Sequence, residues 1–155
     1  MKMKKRILTI LMLGIMTASL MPIPASFASK ITRTLWAGQT INVGTLTVEV
    51  IGTDLVVIFE TTGGWTLTET HLYVGESRPT KSAPGKFPYK DDHPDDVTFY
   101  TYTIEDIGTG WRAIAAHAVV QGCQEETAWG YDDGCANKQI RPGKNWAMYF
   151  WVDIP

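Results

Sequence analysis

Residues 46–59 read LTVEVIGTDLVVIF, and this stretch decides the fold class. Residues 46–50 alternate between apolar and polar side chains, which is the period of a half-buried strand. Residues 55–59 form a nearly continuous run of β-branched and aromatic side chains, typical of a buried strand. The intervening residues 51–54 supply a glycine and an aspartate for a tight turn, so the segment predicts a β-hairpin.

Similar runs recur along the rest of the chain, and none after residue 28 has the period of a helix. The predicted strands are Ile31–Trp36, Leu46–Val50, Leu55–Phe59, Trp65–Val74, Thr98–Ile104, Trp111–Val120 and Asn145–Ile154. About seven strands joined by glycine and proline turns predict an all-β domain built as a two-sheet antiparallel β-sandwich. A closed β-barrel is the alternative, because the number of strands does not separate the two architectures.

The first 28 residues have the composition of an export signal. Four basic residues precede an apolar run at 7–20 and the small-residue sequence ASFA at 25–28. The apolar run is shorter than the roughly 20 residues that a bilayer core requires. We therefore expect cleavage after Ala28 and no stable membrane span afterwards. Residues 29–155 are then a single domain of a secreted protein, extracellular or periplasmic.

The charge of the chain bears on its partners. The full sequence has 14 basic and 16 acidic residues, and the leader holds four of the basic residues and none of the acidic ones. The remaining chain thus has ten basic and 16 acidic residues, a net charge of −6. A nucleic-acid surface requires clustered lysine and arginine, so we expect no nucleic-acid partner. The expected partners are an extracellular glycan or surface component, or copies of the chain itself.

The two cysteines, Cys123 and Cys135, both follow the leader. An exported pair enters an oxidising compartment and usually forms a bridge, so we predict a Cys123–Cys135 disulfide. Such a short closed loop stabilises a fold by about 3 kcal/mol in the chain-entropy treatment. A metal site is disfavoured because no neighbouring cysteine or histidine completes the set that zinc needs.

Two long connections interrupt the predicted strands, at 75–97 and 121–144. Connections this long are usually functional or disordered. The first contains the acidic residues Asp91, Asp92, Asp95 and Asp96. Carboxylate oxygens are the ligands that calcium takes, but the spacing matches no EF-hand, and a solvated cluster of like charges is favoured. Calcium is the one candidate cofactor.

Aromatic residues are the candidate ligand-binding groups. Trp129 and Tyr131 lie in the second connection and Tyr89 in the first, where exposed rings could stack on sugars. The remaining tryptophans that fall in predicted strands are expected to be buried, because a large ring removes much apolar area from water. These are Trp65, Trp111, Trp146 and Trp151.

A polar cluster is predicted around Glu69, His71 and His117. Strand alternation places Leu67, Glu69, His71 and Tyr73 on one face, and either face could be the inner one. His117 shares its row with Trp111, Ala113, Ala115 and Val119. We expect His117 to be at least half buried and to need a hydrogen-bond partner, which Glu69 or His71 would supply if the strands adjoin. A zinc site formed by the three residues is the alternative.

Five blocks of sequence occur in an order that resembles a set of uncharacterised secreted or cell-surface β domains. They are WTLTETHLYVG at 65–75, APGKFPY at 83–89, AAHAVV at 115–120, ETAWG at 126–130 and GKNWAMYF at 143–150. The resemblance covers most of the chain after the leader. It implies an extracellular role and no assigned activity, so no site residue is taken from it.

The sequence contains no recognisable catalytic motif. It has no Gly-x-Ser-x-Gly, no His-Glu-x-x-His and no phosphate-binding glycine loop. Glu69 with Glu125 or Glu126 could serve a glycosidase, but sequence does not give the separation of the carboxylates. We expect a non-catalytic extracellular module that binds carbohydrate or a cell-surface polymer. The alternatives are a self-assembling structural subunit that exchanges strand 31–36, and a hydrolase of extracellular polymers.

Overall fold

The computed structural model describes residues 29–132 and 139–155. The predicted leader and Cys135 lie outside these residues. The described chain is all-β, as predicted, with one 3-10 turn at Pro84–Lys86. Its strands are β1 (Lys30–Ala37), β2 (Ile41–Ile51), β3 (Asp54–Thr61), β4 (Thr66–Gly75), β5 (Tyr89–Val97), β6 (Phe99–Ile104), β7 (Gly110–Gln121), β8 (Glu125–Tyr131) and β9 (Phe150–Ile154).

The strands form one continuous antiparallel sheet rather than two packed sheets. Its order is β5-β4-β7-β8-β1-β2-β3-β6, and β9 pairs with the first half of β7. The sheet curls until it is nearly closed, with Thr98 alone separating the end of β5 from the start of β6. Of the two architectures left open by the sequence, the barrel is the closer description.

The β2–β3 hairpin has the predicted turn. Ile51 pairs with Asp54, and Gly52 between them has a φ of +65°, a conformation that costs glycine little. Alternate residues of both strands point into the barrel and are fully or almost fully buried. They are Leu46, Val48, Val50, Leu55, Val57 and Phe59. The alternation read from residues 46–50 is therefore the inside-outside pattern of the barrel wall.

A second apolar cluster lies on the outer face of the wall. Residues 76–88 and 139–149, here called the two cover segments, pack over the outer side of β4, β7 and β8. The cluster consists of Phe87, Ala115, Trp129, Ile140, Ala147 and Met148. The barrel is thus buried on both faces at this position, which explains the unbroken burial of residues 112–118 in β7.

Four expectations about the strands are wrong. The acidic run lies in an edge strand, β5, which pairs only with β4, and an edge tolerates the charges and Pro94. Trp129 belongs to strand β8, not to a loop. Residues 145–149 belong to a cover segment, so the last strand begins at Phe150. β1 pairs with β2 along its length and with β8 over Thr34–Ala37, so it is not an unpaired edge strand.

Side chains close the seam between β5 and β6, since these two strands do not pair with each other. Thr70 Oγ1 on β4 lies 2.9 Å from His93 Nε2 on β5 and 2.8 Å from the Tyr102 hydroxyl on β6. The Tyr102 hydroxyl donates to the Thr70 carbonyl at 3.0 Å. All three groups are satisfied if His93 donates to Thr70 and Thr70 donates to Tyr102.

A second contact crosses the same seam on its solvent side. The Tyr100 hydroxyl on β6 donates to the Asp91 carboxylate on β5, and this hydrogen bond is the main cause that raises the pKa of Tyr100 to about 12. The Tyr100 ring also packs on His93, with centroids 4.3 Å apart. The seam is therefore held by two sets of side-chain contacts, one around Thr70 and one around Asp91.

We predict that Tyr102→Phe lowers the free energy of unfolding by about 1–3 kcal/mol, because it leaves buried groups of Thr70 without their partner. Urea unfolding measures the change. Tyr149→Phe is the matched control, since the Tyr149 hydroxyl makes no hydrogen bond within the described residues. An equal effect of both substitutions would show that the seam contacts contribute no stability.

Candidate functional site

The structure brings Glu69, His71 and His117 together. His71 on β4 is the direct cross-strand partner of His117 on β7, and their Nδ1 atoms are 3.2 Å apart. Glu69 Oε2 lies 3.7 Å from His71 Nε2. The two imidazoles are buried on the outer face of the barrel wall, and the His117 ring packs edge-on against Trp129, a member of the outer cluster, at 4.9 Å.

The side-chain alternation in β4 is interrupted before this cluster. The pairing register shifts between Leu67 and Glu69, so Leu67 points into the barrel while Glu69 and His71 point outward. Strand alternation predicted that Leu67 and Glu69 share a face, and this prediction is wrong. A bulge of one residue is a backbone feature that a repeating pattern of side chains does not report.

Both histidines are kept neutral by burial. Burial lowers the pKa of His117 to about 3, and the nearby His71 acts in the same direction. Burial also lowers the pKa of His71, against the opposing charges of Glu69 and Asp92. Two neutral rings whose Nδ1 atoms meet must share one proton, so one donates and the other accepts.

The geometry does not gather the three residues around one ion. Glu69 contacts the Nε2 side of the His71 ring, whereas His117 faces Nδ1 on the other side. In residues 29–132 and 139–155, no group of three or more histidine, cysteine, aspartate or glutamate side chains is placed to hold a metal. The arrangement is a hydrogen-bonded pair with a carboxylate beside it.

The acidic residues of β5 do not converge either. Asp91 is paired in register with Thr70 and Asp92 with Glu69, so these two neighbours point to opposite faces of the strand. Asp91 is engaged by the Tyr100 hydroxyl. Asp95 and Asp96 are exposed further along the same strand. The acidic residues therefore lie on an edge strand and are distributed over both of its faces.

The aromatic residues proposed from the sequence do not share a surface. Trp129 is only 4% exposed, because it lies in β8 under Phe87 and Trp146. Tyr131 is half-buried beside Trp36, and its hydroxyl donates to the Gln39 carbonyl at 3.4 Å. Tyr89 packs toward the barrel interior. The Trp129 ring is therefore covered by protein, which corrects the proposed stacking site.

A different aromatic surface is present on β7 and β9. Trp111 is 60% exposed, and Trp151 and Tyr149 are half-buried with their rings 6.3 Å apart. Ala113 pairs with Trp151, which places Trp151 diagonally next to Trp111 on the outer face. We call Trp111, Tyr149 and Trp151 the aromatic patch.

The position of the patch explains why sequence reasoning missed it. Trp111 lies in a strand, as expected, but at the start of β7, where the outer face is no longer covered; the covered part begins with Ala113. The exposed carboxylate of Asp153 stands directly opposite Trp111 in the pairing. An apolar ring face beside a hydrogen-bond acceptor can bind a ligand with both apolar and hydroxyl surfaces.

No family model, curated protein or solved structure matches this chain. In the part of the chain that the structure describes, no helix is long and apolar enough to cross a membrane. Cys123 is exposed and has no disulfide partner among the described residues, while Cys135 lies outside them. The disulfide stays a prediction.

We predict that acid destabilises the fold through His117. Its folded pKa of about 3 lies below the ordinary value of 6.5, so the unfolded chain binds more protons between these values. The contribution of His117 to the free energy of unfolding is fully present above pH 6.5. Below that pH it falls by about 1.4 kcal/mol per pH unit, which gives a loss of about 2 kcal/mol at pH 5. Urea midpoints at pH 7.5 and pH 5 measure this loss.

His117→Gln provides the comparison. The variant lacks the titrating ring, so its midpoint should change less between the two pH values, with the residual slope due to His71 and His93, whose pKa values burial also lowers. An unchanged slope in the variant would place the acid sensitivity elsewhere.

Proposed function

We propose that the protein is a secreted, non-catalytic module that binds an extracellular glycan through the aromatic patch. The observation that carries this proposal is the 60% exposure of Trp111 on a paired strand. Aromatic rings dominate the energetics of binding surfaces, and a large exposed ring without a structural partner on its face is costly in water.

The patch is held rigidly. Trp111 and Trp151 project from β7 and β9, which pair over residues 110–114 and 150–154. The Tyr149 ring packs against Trp151 and also touches the cluster beneath the cover segments. Little conformational freedom would be lost on binding, and preorganisation of this kind favours affinity.

A sugar is the ligand class that fits both components of the surface. One face of a pyranose ring presents C–H groups that pack on an aromatic ring, and its rim presents hydroxyls. The exposed carboxylate of Asp153, opposite Trp111, can accept a hydrogen bond from such a hydroxyl. The partner is accordingly a glycan or a glycan-bearing component of a cell surface.

Three features support a binding role over catalysis or assembly. The Thr70 hydroxyl beside His93 resembles a nucleophile with its base, but Thr70 is 0% exposed, so a substrate has no access. The edge strand β5 carries charges and Pro94, which oppose pairing with another sheet. Strand β1, the candidate for exchange between copies, pairs with β2 along its length and with β8 over Thr34–Ala37.

The proposal includes export and the disulfide. The composition of residues 1–28 supports cleavage and secretion, and an oxidising compartment would allow Cys123 to pair with Cys135. Cys123 is exposed in the connection between β7 and β8.

We predict that Trp111→Ala weakens glycan binding at least about tenfold, because the most exposed ring of the patch is lost. Binding is measured by glycan array, followed by depletion assays on cellulose, chitin, xylan and peptidoglycan. Phe99→Ala is the matched control, since Phe99 is 54% exposed on β6, outside the patch. Absence of wild-type binding to every glycan, or equal losses in both variants, would refute the proposal.

A further inference from the structure

The cover segments differ in charge from the rest of the protein. They contain the basic residues Arg78, Lys81, Lys86, Arg141 and Lys144. Their one carboxylate, Glu76, lies 3.7 Å from Arg112 at the start of β7. The chain as a whole has more acidic than basic residues, so the positive charge is concentrated on the cover.

A groove lies between the two cover segments and has a volume of about 350 Å³. Three cations line it, Arg78 from the first segment and Arg141 and Lys144 from the second. The other lining residues include Pro79, Thr80 and Pro142, and no carboxylate is among them. The groove is therefore a concave surface of one charge sign, where field lines are focused.

The groove is built from ordered segments. Lys144 N donates to the Arg141 carbonyl at 3.1 Å, which closes the turn that carries both cations. Ile140 N donates to the Ala147 carbonyl at 2.8 Å, and Asn145 Nδ2 of the second segment donates to Ser82 Oγ of the first at 2.8 Å. The two walls are thus tied to each other.

The three cations are not neutralised within the described chain. None of them takes part in an ion pair there, in contrast to Arg33 with Asp132 and Arg112 with Glu76. Like charges that converge on one groove repel one another, and an anion that binds there removes the repulsion. Two guanidinium groups on opposite walls can each hold an oxyanion through paired hydrogen bonds.

We propose that this groove is a second binding site, for the oxyanion groups of an acidic polysaccharide. The ligand is a polymer carrying carboxylate or sulfate groups, because three separated cations along an open groove match repeated charges better than a single small anion. The site is separate from the aromatic patch and does not depend on the function proposed for it.

Binding of purified residues 29–155 to polygalacturonate, dextran sulfate and neutral dextran, measured by calorimetry at low and high salt, tests the proposal. Wild type should bind both charged polymers, more weakly at high salt, and should not bind dextran. The double variant Arg78→Gln/Arg141→Gln should bind at least about tenfold more weakly, since two charge-assisted contacts are lost.

Lys81→Gln/Lys86→Gln is the matched control, because it removes the same charge from the same cover without altering the groove lining. Retained binding in the control supports a site in the groove. Equal weakening in both double variants would leave only a general charge effect and overturn the proposal. Wild-type binding to sulfate ion as strong as to the polymers, or preference for duplex DNA, would overturn the polysaccharide as ligand.

Discussion

The burial of β7 on both faces is the constraint on which the rest of the structure depends. Its inward side chains, such as Ile114 and Val120, fill the barrel, while its outward alanines lie under the cover segments. The small side chain of Ala115 lets the cover segments pack closely on the wall, next to the buried His117. Where this cover ends, at the start of the same strand, Trp111 is left in solvent.

Local patterns predicted the parts of the fold that local interactions determine. The hairpin at residues 46–59 was confirmed because a two-residue period and a glycine turn act within a few residues. Strand β5 was missed because an edge strand carries charges that resemble a loop. Trp111 was expected to be buried and Trp129 to be exposed, and the structure shows the reverse. The exposure of each ring depends on whether the cover segments, which are distant in sequence, lie over it.

The candidate sites show the same difference between features of one strand, which were predicted, and features formed by distant segments, which were not. Alternation was sufficient to associate Glu69 with His71 and to expect burial of His117, because each judgement concerns one strand. The groove lined by Arg78 and Arg141 was beyond prediction, since its walls are about sixty residues apart and come together through the outer cluster and the Asn145–Ser82 hydrogen bond. The cover segments that pack on Trp129, the ring in contact with His117, therefore also carry the cations.

The connection of β5 to β6 through Thr98 has a consequence for how the barrel moves. The β5 and β6 edges are linked covalently at Thr98. They can therefore separate only from their other ends, at Tyr89 and Ile104. Amide protons near Thr98 should exchange slowly with solvent and those at the free ends rapidly. Separation of β5 from β6 is thus smallest at Thr98 and largest at the opposite ends of the two strands.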